Sequence, residues 1–306
     1  MKNMRRFLAL LLALGLAAGL YIPGEAAAAA PAGGEPVRAV VVFREGADPD
    51  AAAETLAALP GTEVLWRYSA FFDGAAIEAP ERVLEALEGL EEVKSVGRSQ
   101  SHSRPMALHD PLADTNSLPM MHAEEAAYDG DGVVIAVLDD SLRVTHEAFR
   151  DWGLVQSPAL TKQSVAAFAA GDGAPGRWSS AKLPFVYDYA GRDTDVSAEE
   201  NHGTHVSALA AGYAQGADGT VIFSGAAPAA QLVFMKVFTD GRDSRADDAV
   251  ILRALEDAWN LGADVINLSL GTDDGFTEDG ILEEIYGDIF QRLEREGVQV
   301  FCAAGN

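Results

Sequence analysis

The sequence predicts an α/β protein: a doubly wound, mainly parallel sheet preceded by a small α+β domain. Three observations carry that expectation. From Leu118 onward, strand-like and helix-like segments alternate, which is the pattern of a parallel sheet with helices on both faces. The run from Val133 to Leu138 is apolar at six successive positions and then meets Asp139 and Asp140. Such a run reads as a strand buried on both faces, with its carboxylates at the carboxyl edge, where open α/β sheets build their sites. Residues 37–97, by contrast, give a β-α-β-β-α-β order, the ferredoxin-like topology.

At 306 residues and 48% hydrophobic, the chain can bury a sizeable core in more than one domain. A formal charge of −25 and a pI near 4.4 argue against nucleic-acid binding, whose phosphates need lysine and arginine; the acidity reads as the solubility of an exported protein. Residues 1–30 have the pattern of a secretory signal: Lys2, Arg5 and Arg6, then an apolar stretch from Phe7 to Leu20, then the small residues Ala26 to Ala30. The apolar stretch is short for a membrane span, so the expected mature form is secreted or cell-envelope associated, without a stable membrane span. The single Cys302 excludes an internal disulfide and reads as a buried strand residue in the apolar run that begins at Val298.

After a small-residue linker, the expected order is a strand from Val37 to Phe43, a helix from Asp48 to Leu59, two strands between Thr62 and Ala79 around Phe72-Asp73-Gly74, a helix from Glu81 to Leu90, and a strand from Val93 to Gly97. These make one domain, 36–99. Residues 100–117 are polar, without periodicity, and read as a linker. Residues 118–306 hold the larger domain. Within it, 150–198 is rich in glycine, proline and short apolar pieces, which predicts surface loops near the cleft.

The chemistry gathers around the stretch from Asn201 to Gly212. A capping residue and His202 open a helix of small and apolar residues, so the partial positive charge of the helix end disfavours a protonated imidazole unless a carboxylate stands beside it. Asp139 is the candidate. Strand alternation should send its neighbour Asp140 to the other side. His202 and His205 are three apart on a helix and could instead share a metal with Asp139, but the motif holds no glutamate base.

Val137-Leu138-Asp139, His202-Gly203-Thr204-His205-Val206 and Ala303-Ala304-Gly305-Asn306 resemble, in that order, the aspartate, histidine and oxyanion-asparagine blocks of the subtilisin-like serine proteases, and Lys182–Ala190 and Met235–Phe238 resemble the lactocepin-type cell-envelope proteinases. The resemblance covers about residues 105–306. It implies a subtilisin-like peptidase domain, here its N-terminal part, with Asp139, His202 and Asn306 as catalytic residues. Val265 to Leu270 reads as a strand, and the resemblance implies a substrate-binding edge at its end, Ser269, Leu270 and Gly271, together with protein or peptide substrates. Domain 36–99 would be an inhibitory propeptide and 100–117 the linker cut on maturation. No metal or cofactor is required; a structural calcium ion is compatible with the family, with no ligand set readable here.

The block expected to carry the nucleophile, Gly-Thr-Ser-Met-Ala, does not occur, so the reading is a precursor truncated before its serine. Asp140-Ser141 and Ser207-Ala208 depart from the family's usual residues and put side chains where glycine permits close approach. They keep open an alternative, a non-catalytic binding protein of the same fold.

Overall fold

A computed structural model describes residues 36–103, 127–241, 243–271 and 280–303. The signal-like segment, most of the linker and Asn306 lie outside the described residues. The chain divides into two compact units, one ending at Arg98 and the other beginning at Ser99.

The first unit is a four-stranded antiparallel sheet with two helices. Its elements are β1 (Val37–Phe43), α1 (Pro49–Ala57), β2 (Glu63–Tyr68), β3 (Gly74–Ala79), α2 (Glu81–Leu87) and β4 (Val93–Arg98), in the sheet order β2-β3-β1-β4. This is the predicted β-α-β-β-α-β arrangement. α1 starts where the sequence says: Asp48 accepts the N–H groups of Asp50 and Ala51 at 3.1 and 3.3 Å, and Pro49 fills the first helical position, where no N–H is needed. Gly74 is fixed by contact, since a Cβ there would lie 2.5 Å from the Val41 carbonyl. Val41, Phe43, Leu56, Ile77, Leu84 and Leu87 are central to a core made of apolar side chains alone.

The second unit is built on a five-stranded parallel sheet in the order β13-β12-β6-β10-β7. The strands are β6 (Val134–Asp139), β7 (Phe185–Asp188), β10 (Gln231–Lys236), β12 (Val265–Leu268) and β13 (Gln299–Cys302). Short pieces complete the strand set: β5 (Ser101–His102), β11 (Ala246–Asp247) and a hairpin of β8 (Tyr213–Gln215) and β9 (Val221–Ser224). The helices are α3 (Lys162–Ala170), α4 (His202–Ala211), α5 (Asp248–Asn260) and α6 (Ile281–Arg295). Every residue of β6 and β10 is buried, so both faces of the sheet are covered, as a parallel sheet requires. β6 is central, and the chain passes to β7 and β10 on one side before crossing to β12 and β13 on the other. The order reverses at β6, which puts the switch point of the sheet at the strand that ends in Asp139.

Three expectations need correction. Residues 150–198 are more than surface loops, because Phe185–Asp188 enters the sheet as β7 and pairs with β10; the glycines and prolines on either side hid a four-residue buried strand. The strand expected to reach Leu270 stops at Leu268. Cys302 is exposed rather than buried, because β13 is the edge strand of the described sheet and the neighbouring Phe301 is also 59% exposed.

Candidate active site

β6 delivers Asp139 to the carboxyl edge of the sheet, fully buried. Its Oδ1 accepts the N–H of Asp140 at 2.7 Å and lies 2.8 Å from Nδ1 of His202. Its Oδ2 is buried without a hydrogen-bond partner among the described residues. Burial pushes the Asp139 carboxyl above the usual carboxylate range, and the bond and charge of His202 pull against that rise. With Nδ1 committed to Asp139, Nε2 is the nitrogen through which the imidazole can exchange a proton with a third group.

His202 is the first residue of α4, and three contacts hold that helix start against the loop that follows β6. The expected cap does not form, because Asn201 makes no side-chain capping bond. Asp140 supplies the acceptor instead, taking the N–H of Gly203 at 2.9 Å. The strand ends at Asp139, so the alternation that would turn Asp140 away no longer applies, and it reaches the same helix end as its neighbour. The Thr204 hydroxyl accepts the N–H of Arg143 at 2.8 Å, and the Ser141 hydroxyl lies 2.8 Å from the Glu200 carbonyl. Gly203 is obligatory in this packing: a Cβ would meet the Ser141 carbonyl at 2.6 Å and the Asp139 Cβ at 2.9 Å. Ser141 is itself buried, with its hydroxyl bonded to the Asp140 carboxylate and the Glu200 carbonyl, while the close approach is made at Gly203. At Ala208 the space comes from across the contact, since its carbonyl faces Gly212 and Gly225 at distances that admit no added Cβ.

His205 is exposed and stands apart from the pair. Ligand atoms of Asp139, Asp140 and His202 do lie within 4.8 Å of one another. The near carboxylate oxygens take the N–H groups of Asp140 and Gly203, and Asp139 faces the imidazole.

The other predicted edge is in use. Gly271 pairs with Ser103 through both backbone groups, at 2.9 and 3.0 Å, while Leu270 is buried and Ser269 accepts from the Asn267 amide at 2.9 Å. One residue earlier in the linker, β5 pairs antiparallel with β11. Residues 101–103 thus form a strand between β11 and Gly271. Sequence reasoning missed this strand, and missed Asp248, whose buried carboxylate faces it. A polar two-residue strand leaves no periodicity to read, and the only signal was the histidine at position 102. Asn306 falls outside the described residues, so the expected third member of the site has no geometry. Among the described residues, no helix is long and apolar enough to cross a membrane.

Residues 130–306 match the model of the subtilase family. The chain is 34% identical over 201 residues to a PII-type proteinase of Lacticaseibacillus paracasei, covering 63% of this chain and 10% of that protein. It is 31% identical over 186 residues to a C5a peptidase of Streptococcus pyogenes serotype M6, covering 60% and 15%. The match thus spans only 10–15% of the length of these relatives. In fold, the chain is similar to the epidermin leader peptide processing serine protease of Staphylococcus aureus, with a TM-score of 0.57 at 14% identity, over 89% of this chain and 61% of that one.

Proposed function

The chain belongs to the subtilase family, and from that premise we propose that it is part of a secreted or cell-envelope serine endopeptidase precursor that hydrolyses peptide bonds. The observation that carries the reading is the 2.8 Å contact between His202 and buried Asp139 at the switch point of the sheet. In this reading the imidazole keeps a proton on Nδ1, donated to Asp139, so that Nε2 accepts the proton of a serine hydroxyl as the oxygen attacks the peptide carbonyl. The imidazolium then gives that proton to the leaving amine, and water later repeats the sequence on the acyl-enzyme. Asp139 fixes the tautomer and stabilises the imidazolium. Asn306 would donate its side-chain amide to the oxyanion. The serine would come from a Gly-Thr-Ser-Met-Ala block, which this sequence does not contain.

The strand formed by residues 101–103 supports strand addition as the mode of substrate binding, with main-chain bonds at Gly271 and side-chain pockets on either side. Residues 36–99 would be the propeptide, an intramolecular inhibitor, and 100–117 the linker cut on maturation. The separate apolar core of the first unit is consistent with a domain that folds and departs as a piece.

The test uses protein expressed from the complete reading frame. Peptide hydrolysis and covalent labelling by a fluorophosphonate probe are expected in the wild type, with both lost in His202→Ala. A natively folded full-length protein that neither labels nor cleaves would leave the non-catalytic reading in its place.

A further inference from the structure

We propose that the strand-binding edge between β11 and Gly271 selects, at the residue just before the one paired with Gly271, a side chain that donates a hydrogen bond and can carry positive charge, and that Asp248 and Tyr286 form the pocket that reads it. The proposal rests on the endopeptidase reading above and specifies its substrate preference.

Asp248, the first residue of α5, is fully buried, and each of its oxygens is committed. Oδ2 accepts the backbone N–H of Gln100 at 2.7 Å. Oδ1 accepts the Tyr286 hydroxyl at 2.9 Å and lies 2.6 Å from Nε2 of His102, itself buried. Two of these three partners therefore belong to the bound strand. They differ in kind. Any extended peptide in the same register would offer Oδ2 a backbone N–H, whatever its sequence. The second partner of Oδ1 comes from a side chain, so it depends on sequence.

A carboxylate only accepts, and a buried one left short of a donor pays most of its desolvation without return. An apolar side chain at that position would leave Oδ1 with the Tyr286 hydroxyl but without its second donor, and a glutamate would add a second charge beside it. Histidine fits the pocket as found, and lysine or arginine would bring a donor together with a compensating charge. The neighbouring Asp247, which accepts the Ser101 hydroxyl at 3.0 Å, keeps the same edge acidic.

The experiment compares the matured full-length enzyme with its Asp248→Asn variant on a positional peptide library. Expected in the wild type is one position at which His, Lys or Arg exceeds Leu and Glu by roughly 10- to 100-fold in kcat/KM, the range that one hydrogen bond to a buried charged group represents. Asp248→Asn should flatten the preference at that position alone, read as the ratio of kcat/KM for the His, Lys or Arg peptide to that for the Leu peptide within the same variant. A wild type indifferent to such donors at every position, or a preference unchanged in the variant, overturns the proposal. A second measurement needs no turnover. In the uncut chain, His102→Leu should speed amide exchange of Ser103 by about tenfold or more while His102→Gln, which keeps a donor, should have a smaller effect. Unaltered exchange in His102→Leu also overturns the pocket. Faster exchange in a full-length protein that fails to cleave any peptide would uphold the pocket and reject the endopeptidase reading.

Discussion

The two units solve the folding problem with different materials. Among the described residues of the first, no charged side chain is buried, and its ion pairs, such as Arg38 with Glu78 and Arg98 with Glu81, sit at the partly exposed surface. The second buries Asp139, Asp140, Lys182, Asp188, Lys236, Asp248, Arg253 and Asp257. Buried charges are weak evidence for stability, because desolvation consumes most of what pairing returns. Lys236 is held between Asp188 and Asp240, and Asp257 receives Arg253, the Tyr189 hydroxyl and the Ala174 N–H. The contrast teaches that the first unit needs only the right apolar volume, whereas the second has spent stability on fixed polar geometry. That is where chemistry and recognition are to be sought.

The largest expected effect breaks this comparison at its centre. In the full-length enzyme, Asp139→Asn should lower kcat by about 10⁴-fold by favouring the wrong imidazole tautomer. His202→Ala should cost at least as much, and the double variant should lose little more than either, since the two act as one unit. Additive losses in single-turnover kinetics would show that they do not. Nothing in the apolar core of the first unit should alter turnover of the matured enzyme.

That core should fail in its own way. Leu56 is almost fully buried in the first unit, and Leu56→Ala should cost about 2–5 kcal/mol, most of the stability of so small a domain. Urea unfolding of the isolated 36–99 segment measures the loss. The same variant should weaken inhibition of the matured enzyme when added in trans, and a variant that unfolds yet inhibits as well as wild type would refute the propeptide reading.

The next effect sharpens the contrast through pH. Burial lowers Lys182 to about 8, and its Nζ donates to the carbonyls of Pro228 and Ala230 at 2.9 and 2.6 Å rather than to a carboxylate. Below pH 8 both folded and unfolded chains hold the proton, and the buried charge costs its full amount. Between about 8 and 10.5 the unfolded chain keeps a proton that the folded chain has released, so stability rises with pH across that window. The gain is at most about 3 kcal/mol, reduced by the two carbonyls, which favour the charged form. Lys182→Met should remove the rise, and equal slopes in variant and wild type, measured by denaturant unfolding at pH 7.5 and 10, would assign it elsewhere.

What could be read from the sequence follows the same division. The first unit was legible element by element, because antiparallel strands, an Asp-Pro helix start and a glycine turn are local signals, although both helices end two or three residues early. β6 and the Asp139–His202 pair were legible because a buried parallel strand is a continuous apolar run and its terminal acid has one natural destination. Legibility failed where a neighbour decides the outcome. Cys302 lies in an apolar run, but whether that run is central or at an edge is a property of the sheet. Phe185–Asp188 looked like part of a loop because four residues are too few to show a period. The partners of Asp248 are 146 and 148 positions away in one direction and 38 in the other, beyond any local pattern.

Asp140 is the residue on which local reasoning was wrong in direction, and it yields the smallest expected effect. Its carboxylate takes the Gly203 N–H at 2.9 Å and lies 3.0 Å from the Ser141 hydroxyl, so it replaces the cap that Asn201 does not make. Asp140→Asn keeps an oxygen able to accept that N–H and should be nearly neutral in stability. Asp140→Ala removes the acceptor and should cost about 1 kcal/mol, the usual worth of an N-cap. Because His202 is the first residue of the helix so capped, the alanine variant should also lose more turnover than the asparagine variant, through a less well-fixed imidazole rather than through charge. Crystal structures or the kcat values of the two variants separate these causes. If asparagine proves as damaging as alanine, the negative charge itself is at work, and the capping role assigned to Asp140 fails.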